Sequence, residues 1–149
     1  MPNRAELRIG GTRLAVADLE RSRAFYCGLL GLLFLNESDD LPSLCGHPDR
    51  VTFCAFHEEL APQASQSNPG FYRFALMFRH RRELARVVKC LVDTAYGIEG
   101  ASHSGNTEAV YLKDPDGILI ELCVEGAPRL PKPLGVRELD LEGLLKELS

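Results

Sequence analysis

The chain has 149 residues, which suits one domain with a substantial core. Its composition, 45% hydrophobic and 26% charged, is typical of a soluble globular protein, and a net charge of −4 gives no basis for a nucleic-acid partner. MPNRAELRIGG lacks the apolar core of a signal peptide, and no apolar run approaches the roughly 18 residues of a membrane span. The five cysteines are scattered without a CxxC pair, so we expect reduced thiols in a cytoplasmic protein.

The first half of the sequence predicts a strand, a helix and three further strands. Residues 7–16 alternate as a strand does, and Asp18 then provides an N-cap for a helix that ends at Gly31. One face of this helix carries residues at helical spacing, namely Ser22, Phe25, Tyr26 and Leu29. The three further strands are predicted at residues 32–37, 41–45 and 50–57.

A polar segment with two prolines, residues 58–69, is predicted to link this half to the next. After it we expect a strand at residues 71–78, a helix at residues 81–92 and a short strand at residues 98–102. The order of elements therefore begins again in the second half.

The two halves align as an internal repeat. One shift in numbering carries Gly11 to Arg73 in the strand and Phe25 to Val87 in the helix. A shift shared by two elements is difficult to obtain by chance, so it favours duplication of a βαβββ unit.

The second half ends in a predicted β-hairpin, with strands at residues 108–113 and 118–124 around an Asp-Pro-Asp-Gly turn. Glu121 stands among apolar residues of the return strand. A carboxylate that stays charged, buried and unpaired costs several kcal/mol. Glu121 therefore needs a metal or a cation as its partner, unless its face of the sheet is exposed.

The remaining residues, 126–149, begin as a proline-rich tether. Asp140 is then predicted to cap a short helix whose leucines share one face, at Leu141, Leu144, Leu145 and Leu148. This helix is interpreted as docked on the domain, with a partner-binding motif as the alternative.

Two segments, VADLERSRAFYCGLLGL and GNTEAVYLKDPDGILIELCVE, closely resemble signatures of the vicinal-oxygen-chelate superfamily. That superfamily includes glyoxalase I, extradiol dioxygenases, fosfomycin-resistance enzymes and bleomycin-resistance proteins. The resemblance covers residues 7–125 and is closest to the single-domain catechol-2,3-dioxygenase-like branch, in which a tail similar to LDLEGLL also occurs.

The resemblance implies an α+β fold in which two tandem βαβββ modules form a concave cup, followed here by the short C-terminal helix. We expect a single domain over residues 1–149, with module one at residues 7–57, module two at residues 70–125 and the tail after it.

In metal-dependent relatives, the first strand of each module supplies a ligand and the last strand supplies a glutamate. Carried over by position, these ligands fall on Gly11, Arg73 and Glu121. Glycine has no ligand atom and arginine keeps its proton, so Glu121 is the only family ligand retained. We therefore expect no metal and no other cofactor. A divalent metal held by an atypical set of ligands is the alternative.

The resemblance also places residues on the cup face. Strand alternation puts Arg73 there, in the metal's place and beside Glu121, while Arg13 brings a second positive charge. Such a pocket suits an anionic small molecule. Tyr111 matches a tyrosine near the metal of the extradiol enzymes, or is an ordinary strand tyrosine.

Arg13, Arg73, Glu121 and Tyr111 are thus the predicted ligand-binding residues, and Tyr111, His57 and His103 are candidate catalytic residues. His57 is at the end of a predicted strand, where it either lines the rim of the cup or is exposed to solvent. His103 is displaced by one residue from the position at which the family has a loop histidine. A metal site of Glu121, His57 and Cys54 is a further alternative, although strand parity puts Cys54 and His57 on opposite faces.

We conclude that the sequence favours a metal-independent protein that binds an anionic or aromatic small molecule and forms a homodimer. The alternative is a dioxygenase-like or lyase-like enzyme with an atypical metal site or metal-free acid/base chemistry. A structural or regulatory module is the third possibility. Nucleic-acid and membrane partners are not expected.

Overall fold

A computed structural model defines the architecture and describes residues 12–35, 43–45, 54–58, 73–126 and 136–149. Predictions that fall elsewhere, including Gly11 and most of both the linker and the proline-rich tether, lie outside these residues. The chain divides into two compact units, Met1–Ala61 and Pro62–Ser149, and the boundary falls within the predicted linker. The single-domain organisation and its module bounds stay predictions.

The first unit contains a four-stranded sheet in the order β1-β4-β3-β2. Strands β1 and β4 are parallel, and the other neighbours are antiparallel. Its elements are β1 (Thr12–Val16), helix α1 (Leu19–Arg23) with a π-helical continuation (Ala24–Leu29), β2 (Leu33–Leu35), β3 (Ser43–Cys45) and β4 (Cys54–Glu58).

Asp18 caps α1 as predicted, since its Oδ1 accepts a hydrogen bond from the backbone N–H of Arg21 at 3.0 Å. Ser22, Phe25 and Tyr26 are buried, but Leu30 is buried in place of the predicted Leu29. The π-helical continuation explains this difference, because a wider turn moves the buried position one residue along the chain.

The second unit contains a five-stranded sheet in the order β5-β8-β7-β6-β9. Strands β5 and β8 are parallel, and the remaining neighbours are antiparallel. Its strands are β5 (Arg73–Phe78), β6 (Ile98–Ser104), β7 (Thr107–Lys113), β8 (Leu119–Glu125) and β9 (Val136–Glu138), and its helices are α2 (Arg81–Asp93) and α3 (Leu141–Leu145). This mixed sheet with its helices confirms the predicted α+β class.

Helix α2 covers one face of this sheet, which we call the helix face. Its apolar stripe is buried, with Leu84, Val88 and Leu91 fully inaccessible. Alternation along β7 and β8 turns five almost completely buried apolar residues toward this face, namely Val110, Leu112, Ile120, Leu122 and Val124. The residues between them point to the opposite face, which we call the cup face.

The Asp-Pro-Asp-Gly turn is formed as predicted. Asp114 Oδ1 accepts hydrogen bonds from the backbone N–H groups of Asp116 at 2.9 Å and Ile118 at 2.8 Å. Gly117 adopts a φ of +86°, which an L residue rarely adopts. This local network joins β7 to β8 and so sets the position of Glu121.

The C-terminal segment differs from the prediction at one point. Residues 136–138, predicted as part of the tether, form β9 and pair antiparallel with β6, so that Arg137 lies opposite His103. Asp140 then caps α3 by accepting a hydrogen bond from Gly143 N–H at 3.0 Å. Leu144 is fully buried and α3 packs against α2, as expected for a docked helix. Within the described part of the chain, no helix is long and apolar enough to cross a membrane.

Candidate small-molecule site on the cup face

Three of the predicted site residues meet on the cup face of the second unit. Strands β5, β8 and β7 are neighbours and carry Arg73, Glu121 and Tyr111 respectively. Tyr111 lies directly opposite Glu121 in the antiparallel β7–β8 pair. Arg73 is the first residue of β5, which is parallel to β8.

Arg73 and Glu121 form an ion pair, with 3.2 Å between Arg73 Nε and Glu121 Oε2. The Arg73 side chain is 37% exposed and the Glu121 side chain is 19% exposed. The carboxylate therefore has the cation partner that its apolar neighbours require, and the guanidinium still reaches solvent.

Tyr111 contributes both its ring and its hydroxyl group. The Arg73 guanidinium carbon lies 5.0 Å from the ring centroid, within the range of a cation–π interaction. The hydroxyl lies 2.9 Å from Ser102 Oγ on β6, a hydrogen bond in which either oxygen is able to donate. A polar row thus crosses four neighbouring strands of one face.

Ser102 was absent from the residues predicted for this site. Its face depends on the register of β6 against β7, and that register shifts between Ile98 and Gly100. Because such a bulge inverts the alternation, strand pattern alone does not assign Ser102 to the cup face.

The structure does not bring His103 into this row. His103 follows Ser102 and lies opposite Glu108, so it points to the helix face, where it is 5% exposed. Arg13 and His57 belong to the first unit, where Arg13 lies opposite Ala55 and His57 lies opposite Ala15 in the β1–β4 pair. Their roles in a site remain predictions.

The donor set around Glu121 does not fit the metal centre of the metal-dependent relatives. No group of three or more His, Cys, Asp or Glu residues suited to a metal ion occurs among the residues that the structure describes. The neighbour of the Glu121 carboxylate is a guanidinium, which stays protonated and offers no lone pair. The group is instead arranged to present a cation, an aromatic face and hydroxyl groups.

Cys123 follows on the same strand but is not suited to act as a nucleophile. It is 3% exposed, and its Sγ lies 3.6 Å from the Leu76 carbonyl oxygen. Burial raises the pKa of this thiol, and the negative charges of Glu121 and Glu125 raise it further. Cys123 therefore stays a neutral thiol at neutral pH, and the thiolate is the reactive form.

The curated proteins include a catechol-2,3-dioxygenase of Bacillus subtilis (strain 168) that is 31% identical over 157 residues. The alignment covers 95% of this chain but only 52% of that protein, so the chain spans about half the length of this relative.

Solved structures give the same fold. A glyoxalase/dioxygenase from Nostoc punctiforme superposes with a TM-score of 0.69 at 22% identity, covering 81% of this chain and 93% of the other. A fosfomycin resistance protein from Listeria monocytogenes superposes with a TM-score of 0.63 at 15% identity, covering 82% and 96% of the two chains.

A family model matches residues 8–122, which include β1, helices α1 and α2, β7 and the part of β8 that carries Glu121. The match agrees with the resemblance inferred from the sequence and with the mixed sheet of the second unit. The chain belongs to the Glyoxalase/Bleomycin resistance protein/Dioxygenase superfamily.

Proposed function

We propose that this protein binds an anionic or aromatic small molecule at the cup face of its second unit, and that it does so without a metal ion. The observation that carries the proposal is the ion pair between Arg73 and Glu121 at 3.2 Å. In the metal-dependent relatives a glutamate at this position binds a metal ion, whereas here Glu121 forms an ion pair with the positively charged Arg73.

The side chains of the polar row indicate the class of ligand. Arg73 presents a planar guanidinium with several N–H donors, which suits a carboxylate or an enolate. Tyr111 offers a ring for stacking, and its hydroxyl is oriented by Ser102 at 2.9 Å. An aromatic acid would meet both features at once. Arg13 is proposed as a further ligand-binding residue on the first unit.

An enzyme is the alternative, supported by the relative named catechol-2,3-dioxygenase at 31% identity. Such an activity would be dioxygenase-like or lyase-like, and it would need an atypical metal site or metal-free acid/base chemistry by Tyr111, His57 or His103.

We further propose that the protein is a cytoplasmic homodimer. The five scattered cysteines favour the cytoplasm, and dimers are common among members of the superfamily. Light scattering of the purified protein tests the dimer.

Calorimetric titration with benzoate, in buffer containing a chelator, tests the binding function. We expect the parent to bind benzoate more tightly than the neutral analogue benzamide. Arg73→Met removes a hydrogen bond to a charged group and should weaken binding by about tenfold or more. Arg86→Met, at an exposed position of α2, is the matched control and should bind as the parent does.

Binding of benzoate that appears only after Fe(II) or Zn(II) is added would overturn the proposal. So would equal affinity of the parent and the Arg73→Met variant. Turnover of catechol in the presence of Fe(II) would favour the enzyme alternative instead.

A further inference from the structure

Strand β5 presents a series of exposed side chains on the cup face. Burial alternates along the strand, so that Arg73, Ala75 and Met77 are exposed on this face while the residues between them are partly buried on the helix face. The series begins with the cation of the polar row and continues with a small and then a large apolar side chain. A molecule bound at Arg73 therefore has apolar side chains beside it along the strand.

Met77 is 62% exposed, although methionine is among the residue types that are most often buried. Its unbranched side chain is flexible and adapts to apolar groups of different shapes, and methionine is common on binding surfaces for this reason. Ligand sites combine apolar contacts of this kind with a few polar groups that fix orientation. Met77 is therefore placed to contact an apolar part of a molecule that the polar row holds.

The neighbours of Met77 across the sheet are also apolar. Met77 lies opposite Cys123 in the β5–β8 pair, and Cys123 lies opposite Ala109 in the β7–β8 pair. Both neighbours are almost completely buried, and a buried cysteine packs as a small apolar residue. The sheet around Met77 thus differs from the polar row, which lies two residues away along β7 and β8 at Tyr111 and Glu121.

The spacing along β5 indicates the length of the ligand. Arg73 and Met77 are four residues apart, so two side chains that stand perpendicular to the sheet are separated by about 13 Å. A hydrogen bond to Arg73 takes up about 3 Å of this span and an apolar contact with Met77 takes up about 4 Å, which leaves about 6 Å for the ligand. Benzoate is slightly too short to bridge the two, whereas a benzoate with a small alkyl group in the para position has the required length.

We propose that the ligand of the cup face is an aromatic carboxylate with an apolar para substituent, and that Met77 determines this preference. The carboxylate is held by Arg73, the ring lies near Ala75, and the substituent contacts Met77. This preference rests on the function proposed above, to which it adds the orientation and the length of the ligand. A para hydroxyl group would lie against the apolar surface and lose its hydrogen bonds to water.

Calorimetric titration of the full chain with three carboxylates, in buffer containing a chelator, tests the preference. Benzoate, 4-tert-butylbenzoate and 4-hydroxybenzoate share the carboxylate and the ring and differ only in the para group. We expect 4-tert-butylbenzoate to bind about tenfold more tightly than benzoate, because its methyl groups are partly removed from water. The affinity for 4-hydroxybenzoate should not exceed the affinity for benzoate.

Variants of Met77 assign the preference to this residue. Met77→Ser should reduce the ratio of the two affinities, 4-tert-butylbenzoate over benzoate, from about ten to about one. Met77→Leu retains an apolar side chain and should keep most of the preference. Val136→Ser is the matched control, because Val136 is 66% exposed on β9, four strands or about 19 Å from β5, and the ratio should stay as in the parent.

Methyl NMR of protein labelled with ¹³C at the methionine methyl groups follows the contact in the parent itself. The sequence contains two methionines, Met1 and Met77, so the signal that is absent from Met77→Leu belongs to Met77. This signal should shift on addition of 4-tert-butylbenzoate, and by less on addition of benzoate.

The preference is overturned if the parent binds benzoate and 4-tert-butylbenzoate equally well, if Met77→Ser keeps the ratio of the parent, or if the Met77 methyl signal does not move. Where benzoate binds and Arg73→Met weakens that binding, these results leave the proposed function intact. If none of the three carboxylates binds, the proposed function fails and the preference fails with it.

Discussion

Replacing Arg73 and Glu121 singly and together measures how far their contact stabilises the second unit. The variants are Arg73→Met, Glu121→Leu and the double variant, each compared with the parent by denaturant unfolding. The difference between the double loss and the sum of the single losses is the coupling free energy of the pair.

The geometry of the pair sets the expected magnitude. At 3.2 Å, two unit charges attract by about 5 kcal/mol at an effective dielectric near 20 and by about 1 kcal/mol in bulk water. Desolvation offsets part of this attraction. Exposed pairs contribute about 0–1 kcal/mol, and breaking a buried pair costs about 3–5 kcal/mol. With Arg73 37% exposed and Glu121 19% exposed, we expect a coupling of about 1–2 kcal/mol, between those limits.

Lys89 and Asp93 provide the matched control, since their ion pair on α2 is 2.6 Å long but more than half exposed on both sides. The same cycle with Lys89→Met and Asp93→Leu should give about 0.3–0.5 kcal/mol, as for other i,i+4 pairs. If the coupling of Arg73 with Glu121 is no larger than that of the control, the contact does not hold the row together. Arg73 would then not act as a replacement for a metal ion beside Glu121.

Three further predictions concern other features of the chain. Elemental analysis of gently purified protein should find no stoichiometric Fe, Mn, Ni or Zn, because the family ligands are missing at Gly11 and Arg73; about one metal per chain would contradict this. Asp114→Ala removes the acceptor of two backbone hydrogen bonds in the turn and should lower the free energy of unfolding by about 1–3 kcal/mol, measured by urea denaturation. Iodoacetamide should modify the exposed Cys90 well before Cys123, because burial raises the pKa of Cys123 and so lowers its thiolate fraction at any given pH. Raising the pH should therefore speed Cys123 labelling only above the usual thiol range, and equal rates at pH 8 would show that Cys123 is not shielded.

The local elements could be predicted because their signals are local. Asp18 caps α1 and Asp114 organises the turn through bonds that span only a few residues, so the residue type and its spacing are sufficient. Helix α1 was less predictable in detail, because the pattern assumed a regular α-helix and a π-helical segment buries Leu30 instead of Leu29.

Strand β9 could not be predicted from its own residues. It has three exposed residues and follows a proline-rich stretch, so neither apolar alternation nor length distinguishes it from a loop. Its hydrogen bonds to β6 stabilise it, and that pairing is a property of the folded sheet.

The residues of the candidate site also differ in how far the sequence could predict their positions. The resemblance and strand alternation together predicted that Arg73 and Glu121 share a face, and the resemblance to the extradiol enzymes suggested Tyr111 as a third member. His103, predicted to lie in a loop after a strand that ends at residue 102, lies within β6 and points to the helix face, whereas its neighbour Ser102 points to the cup face because one step along a strand inverts the face. The bulge near Gly100 decides that step, and it has no sequence signature strong enough to locate it.

Strand β9 also has a practical consequence for making this protein. It ends the sheet, and it is short, exposed and charged at Arg137 and Glu138, features that discourage further strands from adding to an edge. A version truncated before Val136 would leave the backbone of residues 102–104 as the new edge, with N–H and C=O groups open to another molecule. Such a truncation would favour self-association even though it removes no residue of the polar row, so shortened versions for crystallisation should retain β9.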